Sequence, residues 1–196
     1  MRRDPGSPCR RRGQRGGLLI EVLVAILISA FALLGFAAMQ VRSTSAEFEA
    51  FQRSQALLLV EDMVNRMNAN RAHAGDYVVD GLIGDGALAD CGGTSGAALD
   101  LCEWGNLIRG VSEVRAGSRV GAMLSARGCV VRPATSSDRY IVSVSWQGMT
   151  PTAGAASPCG AGDATFPDET LRRTVSSTVC IALLRDAASA PAVSRC

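Results

Sequence analysis

The sequence predicts an α+β fold in which one long N-terminal helix, membrane-spanning in its first half and amphipathic in its second, packs on a small antiparallel sheet of three or more strands. Three observations lead to this prediction. Residues 22–39 form an uncharged apolar run, helical periodicity continues from there to about residue 70, and alternating β-branched segments follow residue 121. A chain of 196 residues suits one membrane helix and one compact domain.

The apolar run is the segment on which the prediction of function depends. Its eighteen residues are about enough to cross a bilayer as a helix. Arginines at positions 10, 11, 12 and 15 precede it and favour the cytoplasmic side for that end. A secretory signal peptide is the alternative, but the small-residue cleavage pattern Ala30-Phe31-Ala32 lies inside the run. Glu21, at the entry of the run, would cost roughly 3 kcal/mol in hydrocarbon, so it is a functional candidate by default.

These residues resemble the N-terminus of the type IV prepilins and pseudopilins. That family has a short basic leader, a glycine, cleavage directly before the apolar segment, and glutamate as the fifth mature residue. The resemblance implies that residues 1–16 are a leader, which a prepilin peptidase removes by cutting between Gly16 and Gly17. It also implies that Gly17 is a candidate for N-methylation and that Glu21 docks the subunit into a growing filament.

Elementary electrostatics supports a role for Glu21 independently of the resemblance. In the first turn of a helix that begins at Gly17, a carboxylate is favoured by the helix N-terminus. The freed amino group of Gly17 on a neighbouring subunit is a cation that could pair with it, and two charges that are costly alone in lipid become tolerable together. Such a pair would fix the axial register of stacked helices. The alternative is that Glu21 only reaches the head-group layer.

Residues 52–56, 61–70 and 140–148 resemble, more specifically, the minor pilin V branch of this family. The resemblance implies a minor pilin with the pilin fold, which takes part in assembly or initiation of a type IV pilus in a tip or priming complex. Its partners would be the prepilin peptidase, other minor and major pilins, the inner-membrane assembly platform and, before assembly, the lipid bilayer. The chain would cross the bacterial inner membrane once, with its C-terminal domain on the periplasmic side, and then enter the pilus at the cell surface. The alternatives are a minor pseudopilin of a type II secretion system and a membrane-anchored extracytoplasmic binding module.

The charge distribution argues against a nucleic-acid-binding protein, and the residue types argue against an enzyme. The chain carries a net charge of +2, but the first sixteen residues hold six arginines and one aspartate, which leaves fourteen basic and seventeen acidic residues. Direct nucleic-acid binding is therefore not expected. His73 is the only histidine, and the segment Gly93-Thr94-Ser95-Gly96 lacks the pattern of a nucleophile elbow. We expect no enzymatic activity and no cofactor.

The cysteines predict disulfide bonds in an oxidising compartment. Cys9 belongs to the leader, and an even number of cysteines follows the apolar helix: Cys91, Cys102, Cys129, Cys159, Cys180 and Cys196. A zinc site is the alternative, but the sequence has no Cys-x-x-Cys pair. Six cysteines allow fifteen pairings, which the sequence leaves open. Cys91 and Cys102 bracket a ten-residue gap and are candidates to close a loop.

The remaining segments follow in chain order. Residues 17–40 are the membrane-spanning and assembly half of the helix, and residues 41–70 are its amphipathic half, which we expect to end at Asn68 or Asn70. Residues 71–121 form an irregular loop region with one short helix. Its apolar residues recur at steps of three and four: Leu101, Trp104, Leu107, Ile108, Val111 and Val114. Aspartates between residues 76 and 90 alternate with glycines, which is typical of turns and does not fit a calcium loop.

Residues 122–196 are the predicted antiparallel sheet and disulfide-rich region. Strands are expected at residues 128–132, 140–146 and 171–181, because β-branched and aromatic residues alternate there. A turn at residues 133–138 and a loop at residues 150–166, rich in Gly, Ala, Pro and Ser, connect them.

Overall fold

The computed structural model describes residues 17–112, 114–115, 118–119, 123–136 and 138–181. The predicted leader with Gly16, and residues 182–196 with Cys196, lie outside these ranges. The elements are α1 (Gly17–Ala69), a 3₁₀ helix (Arg71–Tyr77), α2 (Ala97–Ile108), β1 (Val114–Arg115), β2 (Ser118–Arg119), β3 (Arg127–Val131), β4 (Arg139–Gln147) and β5 (Arg172–Cys180). The chain divides into two compact units, Met1–Ala46 and Glu47–Cys196, and α1 contributes to both. The predicted α+β fold is confirmed.

Helix α1 begins and ends close to where the sequence predicts. Its sequence contains no proline, and it continues for 53 residues. At Asn70 the backbone leaves the helical region, with φ −116° and ψ 48°, and the 3₁₀ helix follows. In the second unit, α1 buries one face, and the residues of that face recur at steps of three and four: Gln52, Ala56, Val60, Met63 and Met67.

The main sheet has the order β3-β4-β5, with both pairs antiparallel. Alternation along β4 separates its two faces. The inner face carries Tyr140, Val142, Val144 and Trp146, which join the core that also contains the buried residues of α1. The outer face carries Ser143 and Ser145, which are buried by the loop that connects β4 to β5.

Helix α2 is shorter than its apolar periodicity predicts. It ends at Ile108, because Gly110 adopts a left-handed φ of 73°. The backbone N–H of Gly110 donates to the carbonyl of Leu107, and the N–H of Val111 donates to the carbonyl of Asn106, which is a Schellman C-cap. The inclusion of Val111 and Val114 in this helix was therefore wrong, and Val114 instead pairs with Arg119 in the two-stranded sheet β1–β2.

Trp104 anchors α2 in the core, as its position in the periodic pattern predicts. Its side chain is fully buried, and its indole N–H donates to the carbonyl oxygen of Leu59 on α1 at 2.8 Å. The indole ring packs against Gly128 of β3, where an added Cβ would lie 2.3 Å from a ring carbon. Glycine at this position is therefore what allows α2 to approach the sheet.

Disulfides tie the loops to these elements. Cys91 is bonded to Cys102, which closes the loop before α2, and Cys129 of β3 is bonded to Cys159 in the loop between β4 and β5. Cys180 at the end of β5 is disulfide-bonded as well.

Candidate assembly helix

The first half of α1 is apolar on every side and exposed. The large apolar side chains from Leu18 to Met39 are each between 47% and 72% exposed. By length and composition, this helix is able to cross a membrane, and none of its most apolar stretch is buried within the chain. An exposed apolar surface of this size marks a site that lipid or another protein covers.

Two hydroxyl groups, one in this apolar half and one just after it, are satisfied by the helix itself. Ser29 donates to the carbonyl of Ala25 at 2.7 Å, and Thr44 donates to the carbonyl of Gln40 at 2.9 Å. Because each hydroxyl bonds one turn back along the same helix, neither needs water or a partner chain. A helix with this arrangement is compatible with hydrocarbon, where an unsatisfied polar group costs several kcal/mol.

Glu21 is the only charged residue between Gly17 and Val41, and its side chain is exposed. It is the fifth residue of α1, and the first turn of the helix contains no acidic residue. The expectation that Glu21 lies in the first turn was therefore wrong, since an α-helix has 3.6 residues per turn. The favourable effect of a helix N-terminus falls off within that turn. Compensation of the Glu21 charge in an apolar setting must then come mainly from another group.

Exposed apolar side chains continue along the second half of α1. Phe51 and Leu58 are about half exposed, on the side of the helix away from Val60 and Met63. Phe48 is also about half exposed, but it lies one turn before Gln52, at the edge of the buried face. The core is therefore built on one side of this half, and the other side presents a second apolar stripe.

A cluster around Arg66 holds α2 against the buried side of α1. The Arg66 guanidinium contacts Asp62 at 2.9 Å, Asp100 at 3.0 Å and Glu103 at 2.7 Å. The Tyr77 hydroxyl donates a hydrogen bond to Oδ2 of Asp100, the carboxylate oxygen that Arg66 does not contact. Burial disfavours the charged form of Arg66 and so tends to lower its pKa. The hydrogen bonds to the three carboxylates have the larger combined effect and raise the pKa of Arg66. Burial, followed by the bond to Asp100, raises the pKa of Tyr77.

Glu49 fastens the start of the loop between β4 and β5 to α1. One of its carboxylate oxygens accepts hydrogen bonds from the Thr150 hydroxyl at 2.7 Å, the Thr150 N–H at 3.1 Å and the Met149 N–H at 3.3 Å. Arg173 lies 3.7 Å from the same oxygen. The hydroxyl bond is the largest cause that lowers the pKa of Glu49, against the opposing effect of burial.

The other residues considered in the sequence have local roles. The His73 ring lies 3.3 Å from Asp76, and both side chains are exposed. Asp85 and Asp90 accept hydrogen bonds from the N–H groups of Gly86 and Gly92, as turn residues do. Within the described ranges, no three His, Cys, Asp or Glu side chains are arranged to hold a metal ion.

The sequence analysis did not predict that Glu49 and Arg66 join separate elements of the fold. The spacing of Asp62 and Arg66 is a local signal for an ion pair on one helix face. Asp100 and Thr150, by contrast, are brought to these residues only by the tertiary fold.

Comparison with known proteins adds one match. Residues 38–82 match the family model described as "Tt1218-like: Type IV pilin Tt1218". Over this segment the chain is similar to a type IV pilin. The pilin-like segment contains most of the second half of α1, the 3₁₀ helix and the loop as far as Leu82. No curated protein and no solved structure matches the chain. The match supports a role as a pilin in general, and pilins are structural proteins rather than enzymes.

Proposed function

We propose that this protein is a minor pilin, most like minor pilin V, which takes part in assembly or initiation of a type IV pilus. The observation that carries the proposal is the single charged residue, Glu21, at the fifth position of an otherwise uncharged and exposed apolar half-helix. The similarity of residues 38–82 to a type IV pilin supports it. A helix that served only as a membrane anchor would gain nothing from this acid.

Processing creates the group that Glu21 needs. A prepilin peptidase cuts between Gly16 and Gly17, and the freed α-amino group of Gly17, a candidate for methylation, is a cation at the start of the helix. The processed chain crosses the inner membrane once, with its folded domain on the periplasmic side. The assembly platform of the inner membrane then transfers it from lipid into the filament.

Docking pairs the two charges between subunits. The carboxylate of Glu21 forms an ion pair with the protonated Gly17 amine of a neighbouring major or minor pilin, in a setting with little water. Either charge alone is strongly unfavourable there, and the pair is tolerated. The exposed side chains of Phe48, Phe51 and Leu58 give neighbouring helices apolar surface to pack against.

The experiment compares the amount of this protein in sheared pili with the amount in the membrane for wild type, Glu21→Ala and Glu21→Asp. We expect all three to be inserted and cleaved, because removal of the charge makes insertion easier. Glu21→Ala should fail to enter pili. Glu21→Asp should be intermediate, since the shorter side chain keeps the charge but reaches less far.

Glu61→Ala is the matched control, because Glu61 is an exposed acid on the same helix outside the apolar half. Mass spectrometry of the sheared fraction measures incorporation and the N-terminus together. Equal incorporation of wild type and both Glu21 variants would reject Glu21 as a docking residue. A protein found with secretion pseudopilins rather than pili would be a minor pseudopilin of a type II system. An uncut protein that never enters a filament would be a membrane-anchored binding module.

A further inference from the structure

The folded domain leaves a small amount of apolar surface uncovered outside α1. Among the described residues, the large apolar side chains exposed there are Leu88, Val111, Leu124, Val131 and Met149. Leu124 and Met149 are 59% and 57% exposed, whereas the other three are between 37% and 42% exposed. A single exposed apolar side chain needs no explanation, but the two most exposed ones in one place indicate a contact surface.

Leu124 and Met149 lie on neighbouring stretches of the chain and are named the apolar patch here. The backbone N–H of Gln147, at the end of β4, donates to the carbonyl oxygen of Leu124 at 2.9 Å, and Met149 follows two residues later. Met123, the residue before Leu124, is buried in the core. The patch is therefore attached to the core and to the sheet.

The patch is fastened to the end of the domain at which the chain enters it. The second unit begins at Glu47. Two residues later, the carboxylate of Glu49 accepts hydrogen bonds from the Met149 N–H at 3.3 Å and from the Thr150 hydroxyl at 2.7 Å. Phe48, which precedes Glu49, is about half exposed and adds apolar surface at this end.

The chain reaches this end of the domain from the apolar half of α1. Arg42 is the first charged residue after the apolar run, and Glu49 follows it by seven residues. Seven residues of α-helix rise about 10 Å, and the polar layer on each side of a bilayer is about 5–8 Å thick. The few ångströms that remain are within the length of a leucine or methionine side chain.

We propose that the apolar patch rests on the surface of the lipid bilayer before the subunit enters a filament. Leu124 and Met149 enter the boundary between the head groups and the acyl chains. This inference rests on the membrane-spanning role proposed above for the first half of α1. The contact is favourable because attachment to the interface strengthens with the apolar area that is buried in it. It holds the domain in one orientation on the membrane and is released when the subunit is incorporated.

Photo-cross-linking of the full-length protein in vesicles of phosphatidylethanolamine and phosphatidylglycerol tests this contact. In separate samples p-benzoylphenylalanine replaces Leu124 or Met149, and mass spectrometry after irradiation detects covalently attached lipid. We expect lipid adducts from both positions. The matched control is the same replacement at Val131, which lies opposite Ile141, six residues or about 20 Å along β4 from Gln147. Position 131 should give at least about five-fold less adduct, because interfacial contact requires proximity to the bilayer.

A position in the apolar half separates this inference from the proposed function. Leu27 is exposed there, and p-benzoylphenylalanine in its place should link to lipid if that half spans the bilayer. Adducts at position 27 without adducts at positions 124 and 149 would overturn the inference and leave the membrane-spanning role intact. No adducts at any of the three positions would overturn both.

A polar substitution within the patch tests whether its apolar character is the cause. Leu124→Gln should lower the yield of lipid adduct from position 149 by about three-fold, because less apolar area enters the interface. Val131→Gln should leave that yield unchanged. The proposal is overturned by a yield that does not respond to Leu124→Gln, or by equal yields at position 131 and in the patch. Links from the patch to a second copy of the chain instead of lipid would also overturn it, since the patch would then be an interface between subunits.

Discussion

Replacement of Arg66 by methionine should weaken the contact of α2 with α1, because it removes the cation that Asp100 and Glu103 of α2 share. Methionine keeps much of the apolar stem, so that the loss is chiefly that of charge and hydrogen bonds. The perturbed group is the cluster in which Arg66 joins Asp62, Asp100 and Glu103 at 2.7 to 3.0 Å.

The magnitude follows from the exposure of each partner. The side chain of Asp100 is 24% exposed, and its bond to Arg66 is charge-assisted, for which about 2 kcal/mol is typical. Asp62 and Glu103 are 38% and 46% exposed, and such pairs contribute only about 0.5 kcal/mol each. We therefore expect Arg66→Met to lower the free energy of unfolding by about 3 kcal/mol.

The assay is chemical unfolding of the full-length protein in detergent, followed by tryptophan fluorescence. Trp104 and Trp146 are both buried in the domain, so that their emission reports its unfolding. Arg53→Met is the matched control, since Arg53 is exposed on the same helix and should change stability by less than about 0.5 kcal/mol. The reasoning is refuted if the two variants have the same stability. It also fails if Arg66→Met and Asp100→Asn show additive losses, because residues that share one interaction must be coupled.

Three further predictions test other parts of the molecule. Gly16→Val should leave the full-length precursor in the membrane, and an immunoblot that shows a product of wild-type size would contradict the cleavage site. Gly128→Ala should cost about 1–3 kcal/mol, because its Cβ meets the Trp104 ring at 2.3 Å, whereas Gly154→Ala, with open space around it, should cost little in the same unfolding assay. The lowered pKa of Glu49 means that its contribution to stability is present above the usual value of 4.5 and is lost as the pH falls through the folded-state value. Glu49→Gln should therefore destabilise the domain at neutral pH, and its difference from wild type should shrink in acid; a constant difference would show that the charge of Glu49 is not what fastens the loop.

The sequence predicted the elements well where the signal is local. The end of α1 near Asn70, the strand around Val142 and the buried position of Trp104 all follow from spacing within a single element. The end of α2 was predicted less well, because apolar periodicity cannot show that the backbone reverses at Gly110. A left-handed residue ends the helix even though apolar residues continue beyond it.

The contacts that join elements could not be predicted in the same way. Gly128 has no distinguishing feature in the sequence, and only the approach of Trp104 explains why a side chain is excluded there. Glu49 and Thr150 are separated by 101 residues, and the hydrogen bond between them depends on the placement of both α1 and the sheet. The candidate assembly site, by contrast, could be predicted from the sequence alone. Its basic leader, its apolar run and Glu21 are contiguous in the sequence, so that no tertiary information is needed to find them.

The folded domain has two layers that are maintained by different forces. The inner layer, from Val60 to Trp104 and the inner face of β4, is held by apolar packing, which reductants do not affect. The outer layer is held to the sheet by the disulfide from Cys129 to Cys159 and by the buried guanidinium of Arg172. A reduced chain can therefore form its helix-and-sheet core before the loop between β4 and β5 is closed. An oxidising compartment then adds the covalent bond from β3 to this loop, so that the outer surface is fixed more firmly there than in a reducing one.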